Sequence, residues 1–68
     1  MKTIDARGLS CPEPVLVTKK AIQQELPVTI LVDQQVAVEN IVRFAHKEGL
    51  YDTVKIMDNY FSILISRQ

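Results

Sequence analysis

One cysteine stands in the chain, Cys11, and its neighbours decide what chemistry it could do. It closes the run Asp5-Ala6-Arg7-Gly8-Leu9-Ser10-Cys11 and is followed by Pro12-Glu13-Pro14. Proline is tolerated in the first helical turn, where its missing N–H removes nothing and its fixed φ suits a helix. The spacing therefore predicts that Pro12 is the first helical residue and Cys11 the N-cap. At that position unpaired backbone N–H groups and the positive end of the helix dipole favour thiolate over thiol. A thiolate is a nucleophile. Arg7 would help to hold the anion and Glu13 would oppose it, so the expected direction is a lowered pKa. The ordinary alternative is a cysteine that fills core space as a small hydrophobe. A strand-to-helix junction between Ser10 and Pro12 is hard to bury, and loops on a scaffold are where reactive groups usually sit. Gly8 supplies the positive φ that such a bend often needs, a role it would equally fill as a plain turn glycine.

The other candidates are weaker. His46, with Lys47, falls in the last turn of a predicted helix, where positive charge is favourable and a solvated side chain is the usual outcome. Cys11 and His46 are single residues on different elements, whereas a structural zinc site needs four ligands, so no metal is expected. Two glycines in the whole chain exclude a glycine-rich phosphate loop, and no cofactor is expected. Asp52 and Asp58 flank a predicted strand and read as turn and strand-end carboxylates. Lys19 and Lys20 read as a solvated helix face that could also meet an acidic partner.

Composition narrows the class. A chain of 68 residues, 47% hydrophobic, supports one domain with a single two-layer core. One cysteine forbids an internal disulfide and suits a reduced, cytoplasmic setting. No apolar run could span a bilayer, and Met1-Lys2-Thr3-Ile4 lacks the apolar centre of a signal peptide. Eight cations against eight carboxylates give no basic excess for nucleic acid, so membrane and nucleic-acid partners are both disfavoured.

The elements that must position Cys11 follow from periodicity. Lys2 to Ala6 alternates, with Ile4 and Ala6 on one side, and reads as a first strand. Pro12 to Glu25 reads as a helix whose apolar stripe is Val15, Leu16, Ile22 and Leu26, stopped by Pro27. Val28 to Val32 is β-branched and almost wholly apolar, which suits an interior strand. Asp33 is a candidate cap for a second helix, in which Val38, Ile41, Val42 and Ala45 recur at helical spacing as far as about Glu48, with Gly49 as C-terminal cap. A hairpin around Asp58-Asn59, residues that tolerate positive φ, pairs Met57 with Tyr60. That register puts Val54, Ile56, Phe61, Ile63 and Ile65 on one face, expected to be the core side. The order is β-α-β-α-β-β: an α/β two-layer sandwich, with a four-stranded mixed sheet, right-handed crossovers and both helices on one face.

Asp5-x-Arg7-Gly8-Leu9-Ser10-Cys11-Pro12-x-Pro14 in this setting closely resembles the TusA-like (SirA/YedF) family of small sulfur-carrier proteins, over essentially the whole chain. Val32-Asp33 through Val38-Glu39-Asn40-Ile41 and Arg43-Phe44-Ala45 looks like the family's second strand-helix junction and is nearer to the YedF branch, which is associated with selenium metabolism. The resemblance implies that Cys11 carries a persulfide. It would accept sulfur from a cysteine desulfurase or rhodanese-like donor and pass it to an acceptor protein, as in tRNA thiolation or sulfur oxidation. Pro12 and Pro14 would shape the helix start, while Asp5, Arg7, Gly8 and Glu13 belong to the motif region with no assigned step. Such a chain is a sulfurtransferase-like carrier rather than a small-molecule enzyme, working as a monomer or as a weak dimer through the uncovered sheet face.

Three other readings use the same fold. The element order also resembles the C-terminal, RNA-binding domain of a bacterial translation initiation factor, and RNA binding would weaken steeply with salt. A regulatory or protein-binding module would keep its function when Cys11 becomes serine. A redox-sensing thiol would form mixed disulfides without transferring sulfur.

Overall fold

The computed structural model describes residues 2–10 and 12–67. Its sheet is built on β2 (Val28–Val32), whose alternate residues Val28, Ile30 and Val32 are fully buried. Only a strand with a neighbour on each side and a covered face can bury such a run. β1 (Lys2–Asp5) pairs with it in parallel, Ile4 opposite Ile30, and Ala6 prolongs the ladder by donating its N–H to the Leu31 carbonyl at 2.8 Å. On the other side β4 (Phe61–Ser66) runs antiparallel, with Ile63 opposite Ile30 and Ile65 opposite Val28. β3 (Tyr51–Ile56) closes the far edge against β4, giving the order β1-β2-β4-β3.

α1 (Glu13–Gln24) and α2 (Gln35–Lys47) cover one face of this sheet. Ala21 from α1 and Ala37, Ile41 and Ala45 from α2 share one core with Val28, Ile30, Val32, Ile63 and Ile65. The small alanines let the helices lie close to the branched strand residues. α2 ends as the sequence predicts: Gly49 takes φ +72°, its N–H donates to the His46 carbonyl at 3.1 Å, and the Leu50 N–H donates to the Ala45 carbonyl at 2.9 Å. These two bonds are a Schellman cap, and Leu50 packs on the core beneath it.

Four expectations need correction. Leu16 is not on the buried stripe of α1 and is 57% exposed; the covered face is Pro14, Thr18 and Ala21, flanked by Val15 and Ile22. Thr18 can sit there because its hydroxyl donates to the Pro14 carbonyl at 2.8 Å, so a polar atom is buried already satisfied. The face carrying Val54, Ile56, Phe61, Ile63 and Ile65 is core only in part. Ile63 and Ile65 are sealed, whereas Val54 and Ile56 are exposed, Ile56 at 81%, because β3 is an edge strand with no strand beyond it. The hairpin pairs Met57 with Tyr60 as predicted, through a 2.8 Å bond from the Met57 N–H to the Tyr60 carbonyl, but neither Asp58 nor Asn59 has positive φ. Without a glycine in the loop, the Cβ atoms hold the backbone to negative φ. Asp33, finally, does not cap α2. The N-cap is Gln34, which makes no side-chain capping bond.

Candidate functional site

All the turns that matter to Cys11 meet at one end of the sheet. β1 and β2 are parallel, so both end there and both helices begin there; the β3–β4 hairpin turns at the same end, since Phe61 pairs with Val32 and with Ile56. The chain leaves β1 through a four-residue turn, Ala6 to Leu9, closed by the Leu9 N–H on the Ala6 carbonyl at 3.4 Å. Gly8 is its third residue, at φ +84°. A side chain is disfavoured at that dihedral, and glycine is the residue that takes it without cost.

The Gly8 N–H, turned out of the ladder by this bend, donates to the Asp33 carboxylate at 3.0 Å. The parallel register explains the meeting: Asp5 pairs with Leu31, so two residues on, the β1–α1 bend runs beside Asp33. Asp33 thus spends its acceptor oxygen on tying the two strand-helix loops together instead of capping α2.

Arg7 is held twice. Its backbone N–H and its Nε both donate to Asp5 Oδ1, at 3.1 and 2.9 Å, and Nη2 donates to Oδ2 at 2.9 Å. The guanidinium lies over the Tyr60 ring, 4.9 Å from its centre, which links the β1–α1 loop to the hairpin. These bonds from Arg7 pull the Asp5 carboxyl down from its usual range to about 2 and push Arg7 upward. The cation expected to support a thiolate is therefore already matched by a carboxylate, although both side chains remain exposed.

Cys11 lies outside the described residues, but the expectation that it is the N-cap is overturned by the helix start that follows it. The described helix start moves that boundary by one residue: Pro12 is the N-cap, and Glu13 is the first helical residue. Pro14 then stands at the second helical position, buried, and Glu13 is exposed. Two of the N–H groups that an anion could meet at a helix start are missing, since Pro12 and Pro14 have none. Two more are engaged, with Glu13 N–H donating to the Ser10 carbonyl at 2.9 Å and Val15 N–H to the Pro12 carbonyl at 3.1 Å. This helix start offers an anion its dipole and little direct hydrogen bonding, a correction to the expected nest of free donors.

The remaining candidates lie elsewhere. His46, at the far end of α2, is 67% exposed and pairs through Nε2 with Asp52 Oδ1 at 2.6 Å, on the first turn of strand after the Gly49 cap. That contact was not foreseen; a histidine in a last helical turn and an acidic residue six positions on, across a tight cap, was its signal. Asp58 sits exposed in the hairpin, and Lys19 and Lys20 are exposed on α1, about 9–10 Å along the axis from Glu13 at 1.5 Å per residue. Among the described residues no group of three or more His, Cys, Asp or Glu side chains is placed to hold a metal ion, and no helix is long and apolar enough to cross a membrane.

Fold and site together define a class: a small two-layer domain with a β-α-β-α-β-β order that carries its one cysteine in a braced loop between the first strand and the first helix. Residues 2–67 match the family model described as "Sulfurtransferase TusA". A protein of Methanocaldococcus jannaschii named "Putative sulfur carrier protein" is 46% identical over 54 residues, which cover 72% of this chain and 69% of that protein. The crystal structure of a SirA-like protein from Desulfitobacterium hafniense superposes with a TM-score of 0.87 at 30% identity, over the full length of both chains. The chain belongs to the TusA family.

Proposed function

We propose that this protein is a sulfur carrier that holds sulfur as a persulfide on Cys11 and relays it between two proteins in a reducing, cytoplasmic setting. The observation that carries the reading is the brace before Cys11: a glycine bend, the Asp33 bond to Gly8 and the Arg7 contacts hold the β1 side of a loop that contains the chain's one thiol.

The step balances as thiol-persulfide exchange. The Cys11 thiolate attacks the terminal sulfur of a donor cysteine persulfide. A new S–S bond forms to Cys11, the donor's S–S bond breaks, and the donor cysteine leaves as a thiolate. Delivery is the same exchange, with an acceptor thiol attacking the terminal sulfur on Cys11. No second cysteine in the chain can close a disulfide and discharge the cargo, which suits a carrier. A cysteine desulfurase or a rhodanese-like protein fits the donor's role. The carrier works as a monomer, or as a weak dimer through the open sheet face, that meets donor and acceptor in turn.

The test is intact-protein mass spectrometry after incubation with a cysteine desulfurase and cysteine. The parent chain is expected to gain one sulfur atom that reductant removes, and Cys11→Ser to gain none. Equal gain in both, or none in either across desulfurase and rhodanese-type donors, would reject the assignment.

A further inference from the structure

Exposed apolar side chains are not spread evenly over this molecule. Among the described residues six large ones are exposed, and four of them, Leu16, Val36, Ile56 and Met57, stand at the end of the sheet where β1 runs into α1. Leu16 and Val36 are in the first turns of α1 and α2, while Ile56 and Met57 lead into the hairpin. Ile56 is in register with half-buried Phe61, and Phe61 with buried Val32, so the apolar surface there continues from the core outward past an uncovered edge.

The charges are polarised along the same axis. At this end Asp5 is ion-paired with Arg7, and Glu13, Asp33 and Asp58 stand against Lys55 near the end of β3, a net charge of −2. Since the chain is neutral overall, the rest of the molecule carries +2, with Lys2, Lys19, Lys20, Arg43, Lys47 and Arg67 as its cations.

We infer that this end is a docking surface for a protein whose own reactive cysteine is set among apolar side chains and ringed by lysine or arginine. The inference rests on the proposed carrier function. Persulfide exchange needs the two sulfurs in contact, so whatever lies around Cys11 must be covered by the surface around the partner's cysteine. An apolar contact ringed by charge is how protein interfaces are built, and charge complementarity sets the encounter rate more than the final affinity. The net −2 selects a basic rim on the partner.

The experiment compares two donors: a small-molecule persulfide, glutathione persulfide, which needs only Cys11, and a purified cysteine desulfurase loaded with cysteine, which needs the surface as well. Ile56→Ser and Asp58→Lys are made in the full chain, and both should unfold within a few degrees of the parent because both sites are exposed. With glutathione persulfide both variants are expected to load within twofold of the parent. With the desulfurase, Ile56→Ser should lose about tenfold in loading efficiency, as removal of an apolar anchor does at an interface. Asp58→Lys should load more slowly and lose most of the salt dependence that the parent shows. Loading of the parent by glutathione persulfide, with desulfurase loading absent or unchanged in both variants, overturns the docking surface and leaves the carrier reading standing. Failure of the parent with both donors overturns both.

Discussion

Replacing Gly8 with alanine isolates the cost of the bend that precedes Cys11. An ideal Cβ at Gly8 would meet nothing within 4 Å, so no clash contributes and the change acts through the dihedral alone, φ +84°. Holding an L-residue in that region costs about 1–2 kcal/mol, and the lower freedom of alanine in the unfolded chain returns about 0.4–1 kcal/mol, for a net loss of about 1 kcal/mol. Gly49 is a built-in control, at φ +72° with equally open space around its Cβ position, but at the opposite end of the sheet. Gly49→Ala should lose about the same. A 68-residue domain has about 3–10 kcal/mol in total, and 1 kcal/mol moves its melting point by about 4–8 °C, so urea and thermal unfolding resolve both changes. Well below either transition, Gly49→Ala should load sulfur as the parent does. Gly8→Ala should load more slowly, because the bend relieves its strain by moving the turn and the Asp33 bond with it. Gly8→Asn should recover part of the stability, since asparagine tolerates positive φ better than alanine. A Gly8→Ala variant as stable as the parent, or one that loads as fast as Gly49→Ala, would refute the view that a strained, glycine-dependent bend sets the loop.

Asp5 should titrate at about 2 when followed by carboxyl NMR, and Arg7→Gln should return it toward the ordinary value near 4. Because the folded value is depressed, the stability that this pair contributes is present above about pH 4 and is lost as the pH falls toward 2; acid unfolding of Arg7→Gln should lack that component. Thr18→Val should cost under about 1.5 kcal/mol in urea unfolding, since shape is kept and only the hydroxyl bond to Pro14 goes, while Thr18→Ala, which also opens a void, should cost more. Leu16→Ser should change stability by less than about 0.5 kcal/mol because the side chain is already in water, against about 2–5 kcal/mol for Ile63→Ala in the sealed core. A large loss for Leu16→Ser would place that residue in the core after all.

What the sequence carried most clearly was long-period pattern. The recurrence of Val38, Ile41 and Ala45 located α2, and the β-branched run from Val28 to Val32 located the central strand, because these patterns exist only to bury a face. The errors fall where burial depends on what lies across the gap. Leu16 is apolar and helical, yet the covered side of α1 is the one with Pro14, Thr18 and Ala21, small enough for the helix to approach the sheet. Ile56 alternates correctly with Phe61 and Ile63, yet strand order decides that it sits on an edge, and alternation cannot reveal strand order. At the site, the motif named Asp5, Arg7 and Gly8 without showing what they do. The links from Gly8 to Asp33 and from Arg7 to Tyr60 span 25 residues or more and arise only from the parallel register and the hairpin return.

The engaged donors at the start of α1 bear on why a carrier would place its cysteine before Pro-x-Pro. A thiol used once as a nucleophile gains from every group that stabilises its anion. Under the proposed function, Cys11 must also give the sulfur away; as the leaving thiolate it still gains from a stabilised anion, but a persulfide whose outer sulfur is held by several N–H groups resists attack. Pro12 and Pro14 remove two donors outright, the Ser10 and Pro12 carbonyls occupy two more, and Asp5 matches the charge of Arg7. What remains is the helix dipole, worth about 0.3–1 kcal/mol to an anion near its start. On the proposed function, then, the prolines do more than begin the helix: by keeping its first turn from becoming an anion trap they would leave sulfur transfer at Cys11 close to balance in both directions.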